Sequence, residues 1–194
     1  GGFVESRRIG NDIIVVTRHT PTVDSFVNEP FGDDVATVRS NLETLTITDI
    51  LPTITIDGTT SALVEATDCF VADQALNGEQ YYYPVVTTIS RIPIDNPTAL
   101  ESVCLSEDTS GLYMSSNAVY LTQTHGDYEA PWTRVHKFAF GSSSIDYKGS
   151  GDVEGYIWTG GQADFRMNEY EGKLRMVTST WTGDSTDRVD YQVH

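Results

Sequence analysis

The sequence predicts an all-β fold built from repeated strand–turn–strand units, and two observations lead there. One local pattern occurs three times. Ser6-Arg7-Arg8-Ile9, a turn through Gly10-Asn11-Asp12 and Ile13-Ile14-Val15-Val16-Thr17 form the first copy. Gly111-Leu112-Tyr113-Met114, Ser115-Ser116-Asn117 and Ala118-Val119-Tyr120-Leu121-Thr122 form the second. Asp164-Phe165-Arg166-Met167, a longer turn through Gly172 and Leu174-Arg175-Met176-Val177-Thr178 form the third. Each has Ile or Met before the turn and an apolar strand ending in Thr. The second observation is compositional: Thr stands often beside Val, Ile and Tyr, which suits a pleated, half-buried surface. Strand units repeated at tens of residues point to a propeller or another repeat architecture. An ordinary β-sandwich with similar hairpins is the alternative.

Taken in order, residues 1–20 form the first hairpin, and Pro21 to Phe31 reads as a loop. Asp33 to Leu45 is the one good helix candidate: Val35, Val38, Leu42 and Leu45 share a face, and Asp33-Asp34 suit its N-terminus. It is expected to run into a strand at Leu45-Thr46-Ile47-Thr48, closed by Pro52. Ile54-Thr55-Ile56 with Asp57-Gly58 is a short strand entering a turn. Leu63 to Ala72 is a strand or buried run carrying Cys69, and Asn77-Gly78 is a turn. Tyr81 to Ile94 reads as strand, with Pro84 and Pro93 confining it to edges or ends. Asp95-Asn96-Pro97 turns the chain again. Thr133 to Phe140 is a clear strand, and Gly141 to Ser144 turns it into Ile145-Asp146-Tyr147. Gly149, Gly151 and Gly155 then suggest a passage of close backbone approach leading to Tyr156-Ile157-Trp158. Thr182 to Ser185 starts the last turn.

The spacing predicts blade-like units near 1–20, 61–122 and 123–194. Ile9 to Met114 is 105 positions and Met114 to Met167 is 53, so the first interval is about twice the second. The preferred explanation is an insertion into one blade, with residues 21–80 as extra material holding the helix at 33–45. Three units make a partial ring, since propellers have four to eight blades. The whole chain then reads as one β-propeller fragment with a short inserted helix.

Composition bounds the partners. Lys and Arg number 12 against 28 Asp and Glu, a net charge of −16. Such a surface repels phosphate, so nucleic acid and anionic membranes are disfavoured. No apolar run reaches the length of a membrane-spanning helix. The chain opens on Gly1-Gly2 without Met or a visible signal peptide, and reads as a mature or excised piece with any export signal upstream. Cys69 and Cys104 both lie in apolar, strand-like settings, Asp68-Cys69-Phe70-Val71 and Val103-Cys104-Leu105. From these residues alone they are either free core cysteines or a bonded pair.

Val153-Glu154-Gly155-Tyr156-Ile157-Trp158, followed by the run from Phe165 to Thr178, resembles the secreted β-propeller domain family of bacteria and archaea. That family carries a G-x-V-x-G step and an F-S-M-D-E-Y-x-G-x-L-R-V-A-T hairpin. Leu112 to Tyr120 is similar to its v-Y-x-S-x-x-x-l-Y strand, and Thr133 to Phe138 to its T-x-I-x-K-F strand. The likeness is specific over 111–181 and softer over 1–110. Arg166 and Asn168 stand where the family has Ser and Asp, and Trp158-Thr159-Gly160-Gly161 replaces the usual approach. The resemblance implies a propeller and export to a secreted or extracytoplasmic place, with no catalytic residues. With an even cysteine count and matching strand contexts, that export leads to the expectation of a Cys69–Cys104 disulfide between two strands of one blade.

Catalytic motifs are not evident. His19, His125, His136 and His194 have no metal-ligand spacing. The glycines at 149–155 lack a dinucleotide fingerprint, and there is no nucleophile elbow or phosphate loop. Asp184, Asp187 and Asp190 do not match a calcium loop. No catalytic residue, cofactor or metal ligand is therefore assigned. Tyr81-Tyr82-Tyr83, Tyr128, Trp132, Trp158 and Trp181 either line a recognition surface or fill the wedge between blades. The leading function is a non-enzymatic binding or scaffolding module with a protein or carbohydrate partner left open. The alternative is a hydrolase or lyase with a central-channel site completed by further blades, to which Arg7, Arg166, Glu169 and Arg175 are the inner candidates. An open arc of blades has free edges, so a homodimer joined edge to edge, or closure by remaining blades, is expected.

Overall fold

The computed structural model describes residues 1–21, 40, 42–71, 85–127, 130–157, 163–181 and 189–194. Two compact units emerge, Gly1–Asp108 and Thr109–His194.

In the first unit, β1 (Gly2–Ile9) and β2 (Asp12–His19) form the expected hairpin. β2 then pairs over its whole length with β6 (Val86–Pro93), and β6 with β7 (Glu101–Ser106), all antiparallel. β1-β2-β6-β7 is thus a four-stranded meander, with residues 20–85 inserted between its second and third strands. Residues 20–85 lie within the first unit. The unit boundaries differ from expectation: β6 and β7 join residues 2–19 and not 111–122. Packing gives the reason, since Ile14 and Val16 on β2 and Val86 and Ile89 on β6 are all buried, and a two-stranded hairpin cannot bury them.

The insertion contains α1 (Ile47–Ile50), a single helical turn where a strand was expected. Local hydrogen bonding overrides the β-branched composition. The Thr46 backbone N–H and hydroxyl both donate to Asp49 Oδ2, at 2.8 and 2.6 Å, and these bonds hold the Asp49 carboxyl below its usual pKa. Of the helix expected at 33–45, Ser40, Leu42 and Glu43 are helical, and Leu45 follows the turn. Residues 33–39, with Val35 and Val38, lie outside the described residues. β3 (Thr53–Ile56) and β4 (Thr59–Ala62) form a hairpin. Its turn has Asp57 at φ 49° and Gly58 at φ 79°, the left-handed pair that matches strand twist. A 3₁₀ turn at Ala66–Asp68 leads to β5 (Cys69–Val71), which runs parallel to β7 with Cys69 opposite Cys104. The two cysteines form a disulfide with Cα atoms 4.4 Å apart. Leu51, Val64, Val86 and Cys104 make a local core, against which Ile50 and Cys69 pack. The bridge therefore staples the insertion to the meander it interrupts.

The second unit holds a four-stranded antiparallel meander of β8 (Gly111–Met114), β9 (Ala118–His125), β10 (Trp132–Phe140) and β11 (Ile145–Glu154). Ala118 to Thr122 on β9 are all buried, so both faces of this strand are covered. After a 3₁₀ turn at Ala163–Arg166, β12 (Met167–Tyr170), β13 (Lys173–Trp181) and β14 (Val189–Val193) form a three-stranded sheet. Asp164 to Arg166, expected as strand, belong to that turn. Tyr156 bridges to Ser179 through backbone hydrogen bonds of 2.9 and 3.0 Å. Ile157, Met167 and Met176 form the core between the sheets, joined by Tyr113, Val135, Val153 and Leu174.

The glycine passage differs from expectation in two of three positions. At Gly155, φ is +87° and an added Cβ would come within 3.0 Å of Thr178 and Ser179. Gly149 and Gly151 instead lie within β11, with nothing near a Cβ. Gly149 follows a bulge at which Lys148 has no partner on β10, and its φ of +120° absorbs the extra residue. Among the described residues no helix is long and apolar enough to cross a membrane.

Candidate binding cleft and polar tie

Two side-chain constellations stand out in the second unit. The first is a polar tie between its sheets. The Ser115 hydroxyl, in the β8–β9 turn, donates to Glu169 on β12 and accepts from the N–H groups of Asn117 and Ala118, both at 3.0 Å. Lys137 Nζ on β10 lies 3.9 Å from the Glu169 carboxylate. The Glu169 N–H donates to the Tyr113 hydroxyl at 3.1 Å. Tyr120 completes the group, stacked on Tyr113 with ring centroids 6.0 Å apart and the Lys137 ammonium 5.3 Å from its own centroid. Burial pushes the Tyr120 hydroxyl pKa up and the Glu169 charge adds to this, while Lys137 opposes it.

Strand alternation decides what joins this tie. Met167 and Glu169 share a face of β12, opposite Met176 and Leu174, and turn inward. Arg175 pairs with Asn168 on the other face and lies 4.7 Å from the Tyr170 ring centroid. Arg166 lies 5.7 Å from the Tyr191 ring centroid. Arg7 is exposed on β1 in the first unit. Glu169 and Arg175 therefore face opposite ways, and the expected inner candidates do not form one cluster in this unit.

The second constellation is a cleft of about 530 Å³ lined by Ala130, Pro131, Trp132, Asp152, Val153, Glu154, Thr180 and Trp181. The register builds it: Trp132 on β10 stands opposite His125 on β9 and Glu154 on β11. One step along, Arg134 stands opposite Asp152. The buried Arg134 guanidinium donates to both Asp152 oxygens, at 2.9 and 3.0 Å, and lies 4.9 Å from the Trp132 centroid. His125 stacks on Trp132 with centroids 4.4 Å apart. Trp132 and Trp181 are both half-buried. Tyr81, Tyr82, Tyr83, Tyr128 and Trp158 lie outside the described residues, as do Asp33, Asp34, Asp184 and Asp187.

The histidines are dispersed. His136 is buried with Nδ1 3.1 Å from the Tyr147 hydroxyl, and His194 Nε2 lies 2.8 Å from the Thr178 hydroxyl. Burial lowers the His19 pKa, with the Gly1 ammonium adding to it. Among the described residues no three His, Cys, Asp or Glu side chains gather as a metal site.

The sequence profile described as beta propeller domain matches residues 1–194. The chain belongs to the beta propeller domain family. A comparison with curated proteins finds no match. Family membership gives the four-stranded antiparallel meanders their meaning, because such a sheet is the unit of a propeller blade. It also clarifies the motif: Tyr113, Ser115, Tyr120, Lys137 and Glu169, all at motif positions, meet in the polar tie. Those positions act in holding neighbouring sheets together. The sequence named Trp132 and Trp181 among the rings of a candidate recognition surface but did not bring them together with Asp152 and Glu154, because the two rings are 49 residues apart and neither carboxylate belongs to an acidic run.

Proposed function

We propose that this beta propeller domain is a non-enzymatic, extracytoplasmic module for binding or scaffolding. One observation carries the reading. The charged candidates for chemistry in the second unit are engaged in packing, Glu169 in the tie and Arg166 and Arg175 on tyrosine rings, while the cleft presents rings and carboxylates to a guest. The Cys69–Cys104 bridge supports an oxidising compartment, where such bonds persist. Residues 1–194 read as one propeller fragment made of four-, four- and three-stranded sheets, with β5 and the β3–β4 hairpin as additions.

The test is a screen of the secreted protein against glycosides and peptides, expected to give no turnover. Turnover that disappears on substituting Arg7, Arg166, Glu169 or Arg175 would replace this reading with a hydrolase or lyase working at a shared channel. Among the described residues β1 and β14 each pair on one side only, so edge pairing with a second copy or with further blades is part of the proposal. Light scattering at rising concentration should show association of the chain. A strict monomer would remove self-pairing from it.

A further inference from the structure

We infer that the Trp132–Trp181 cleft receives a basic side chain, lysine or arginine, from a partner polypeptide. The inference rests on the binding-module reading and names its guest. Three observations lead to it.

The first is the cleft's chemistry. Two indole rings, Pro131 and Val153 supply apolar wall, while Asp152 and Glu154 supply the charge. A lysine or arginine matches this, since its alkyl stem covers apolar surface while its head stays with carboxylates. The second is that the chain already seats such a head here. Arg134 lies over Trp132 and forks onto Asp152, so indole and carboxylate hold a guanidinium at this wall. The Asp152 side chain keeps 48% of its surface exposed even so, and can share a second donor. Glu154, directly opposite Trp132, is exposed at the rim. The third is charge complementarity: a net charge of −16 draws cations toward a concave acidic wall. A neutral sugar fits less well, because it brings no positive charge to Asp152 and Glu154.

The experiment titrates the 194-residue chain with a hexa-arginine peptide, a hexaglutamate peptide and a linear glucose oligosaccharide, reading tryptophan fluorescence and calorimetry. Hexa-arginine should bind, and the other two should not. Glu154→Gln should weaken binding about tenfold, as loss of one partly desolvated charge contact does. Glu43→Gln, on the exposed surface of the first unit, should change it less than about twofold, as screened surface charges do. The Glu154 side chain is exposed, so this variant should keep the wild-type unfolding midpoint. Trp181→Phe should alter the fluorescence response. Equal weakening by Glu154→Gln and Glu43→Gln would reduce the effect to the overall field and overturn the site. Binding of the oligosaccharide alone would also overturn it, yet leave the binding module standing. Cleavage of any probe would instead overturn the module.

Discussion

Replacing Lys137 with methionine is expected to cost more stability than replacing Glu169 with glutamine, although the two side chains belong to the same pair. The asymmetry follows from burial. The Glu169 side chain is 4% exposed and that of Lys137 is 32% exposed, so the ammonium reaches water and the carboxylate does not. Lys137→Met leaves a buried carboxylate with the Ser115 hydroxyl and no cation, a loss of about 3 kcal/mol on the scale of broken buried pairs. It also removes the ammonium above the Tyr120 ring, a smaller contribution of about 0.5 kcal/mol. Glu169→Gln keeps an acceptor for Ser115 and leaves an ammonium that can hydrate, so about 1–2 kcal/mol is expected. In the double variant the stranded charge is gone, and it should be more stable than Lys137→Met alone, which requires a coupling larger than the Glu169→Gln cost, about 2–3 kcal/mol. Urea unfolding with a shared slope gives all four values. If Lys137→Met costs no more than Glu169→Gln, or if the two effects simply add, the carboxylate is hydrated and the tie does not hold the sheets.

Mass spectrometry of unreduced peptides should link Cys69 to Cys104, and reducing the bond should lower stability by about 4 kcal/mol for a 35-residue separation; two free alkylatable thiols would refute the bridge. Gly155→Ala should destabilise by roughly 3 kcal/mol, because it combines a left-handed φ with a clash against Thr178. Gly151→Ala, in open space, should be close to neutral; equal costs at both positions would place the close approach elsewhere. Tyr120, whose folded pKa is raised, binds its proton more tightly in the folded than in the unfolded chain. Its contribution is therefore complete below the unfolded tyrosine pKa of about 10 and is lost as pH rises past it. Phenolate absorbance should show one tyrosine titrating late, and earlier in Glu169→Gln, where a charge that opposes ionisation is gone. Unchanged titration in that variant would separate Tyr120 from the tie.

The sequence by itself determined the local units. Short-range rules set them: alternation on β2 and β13, and the Gly10, Asp57-Gly58 and Gly172 turns. It also carried the motif residues of the tie without showing that they meet. Local reading failed where a few hydrogen bonds outweigh propensity, as at Thr46 and Asp49, which wind Ile47–Ile50 into a helical turn. Tertiary structure alone decided which strands share a sheet. β2 chooses β6 across an insertion of more than sixty residues because that pairing buries both partners, and burial depends on contacts far apart in the chain. The same holds for the cleft: register across β9, β10 and β11 aligns His125, Trp132 and Glu154 in one row, and the bridge from Tyr156 to Ser179 brings Trp181 beside them. No spacing along the chain encodes that row, because it exists only once the strands have chosen their partners.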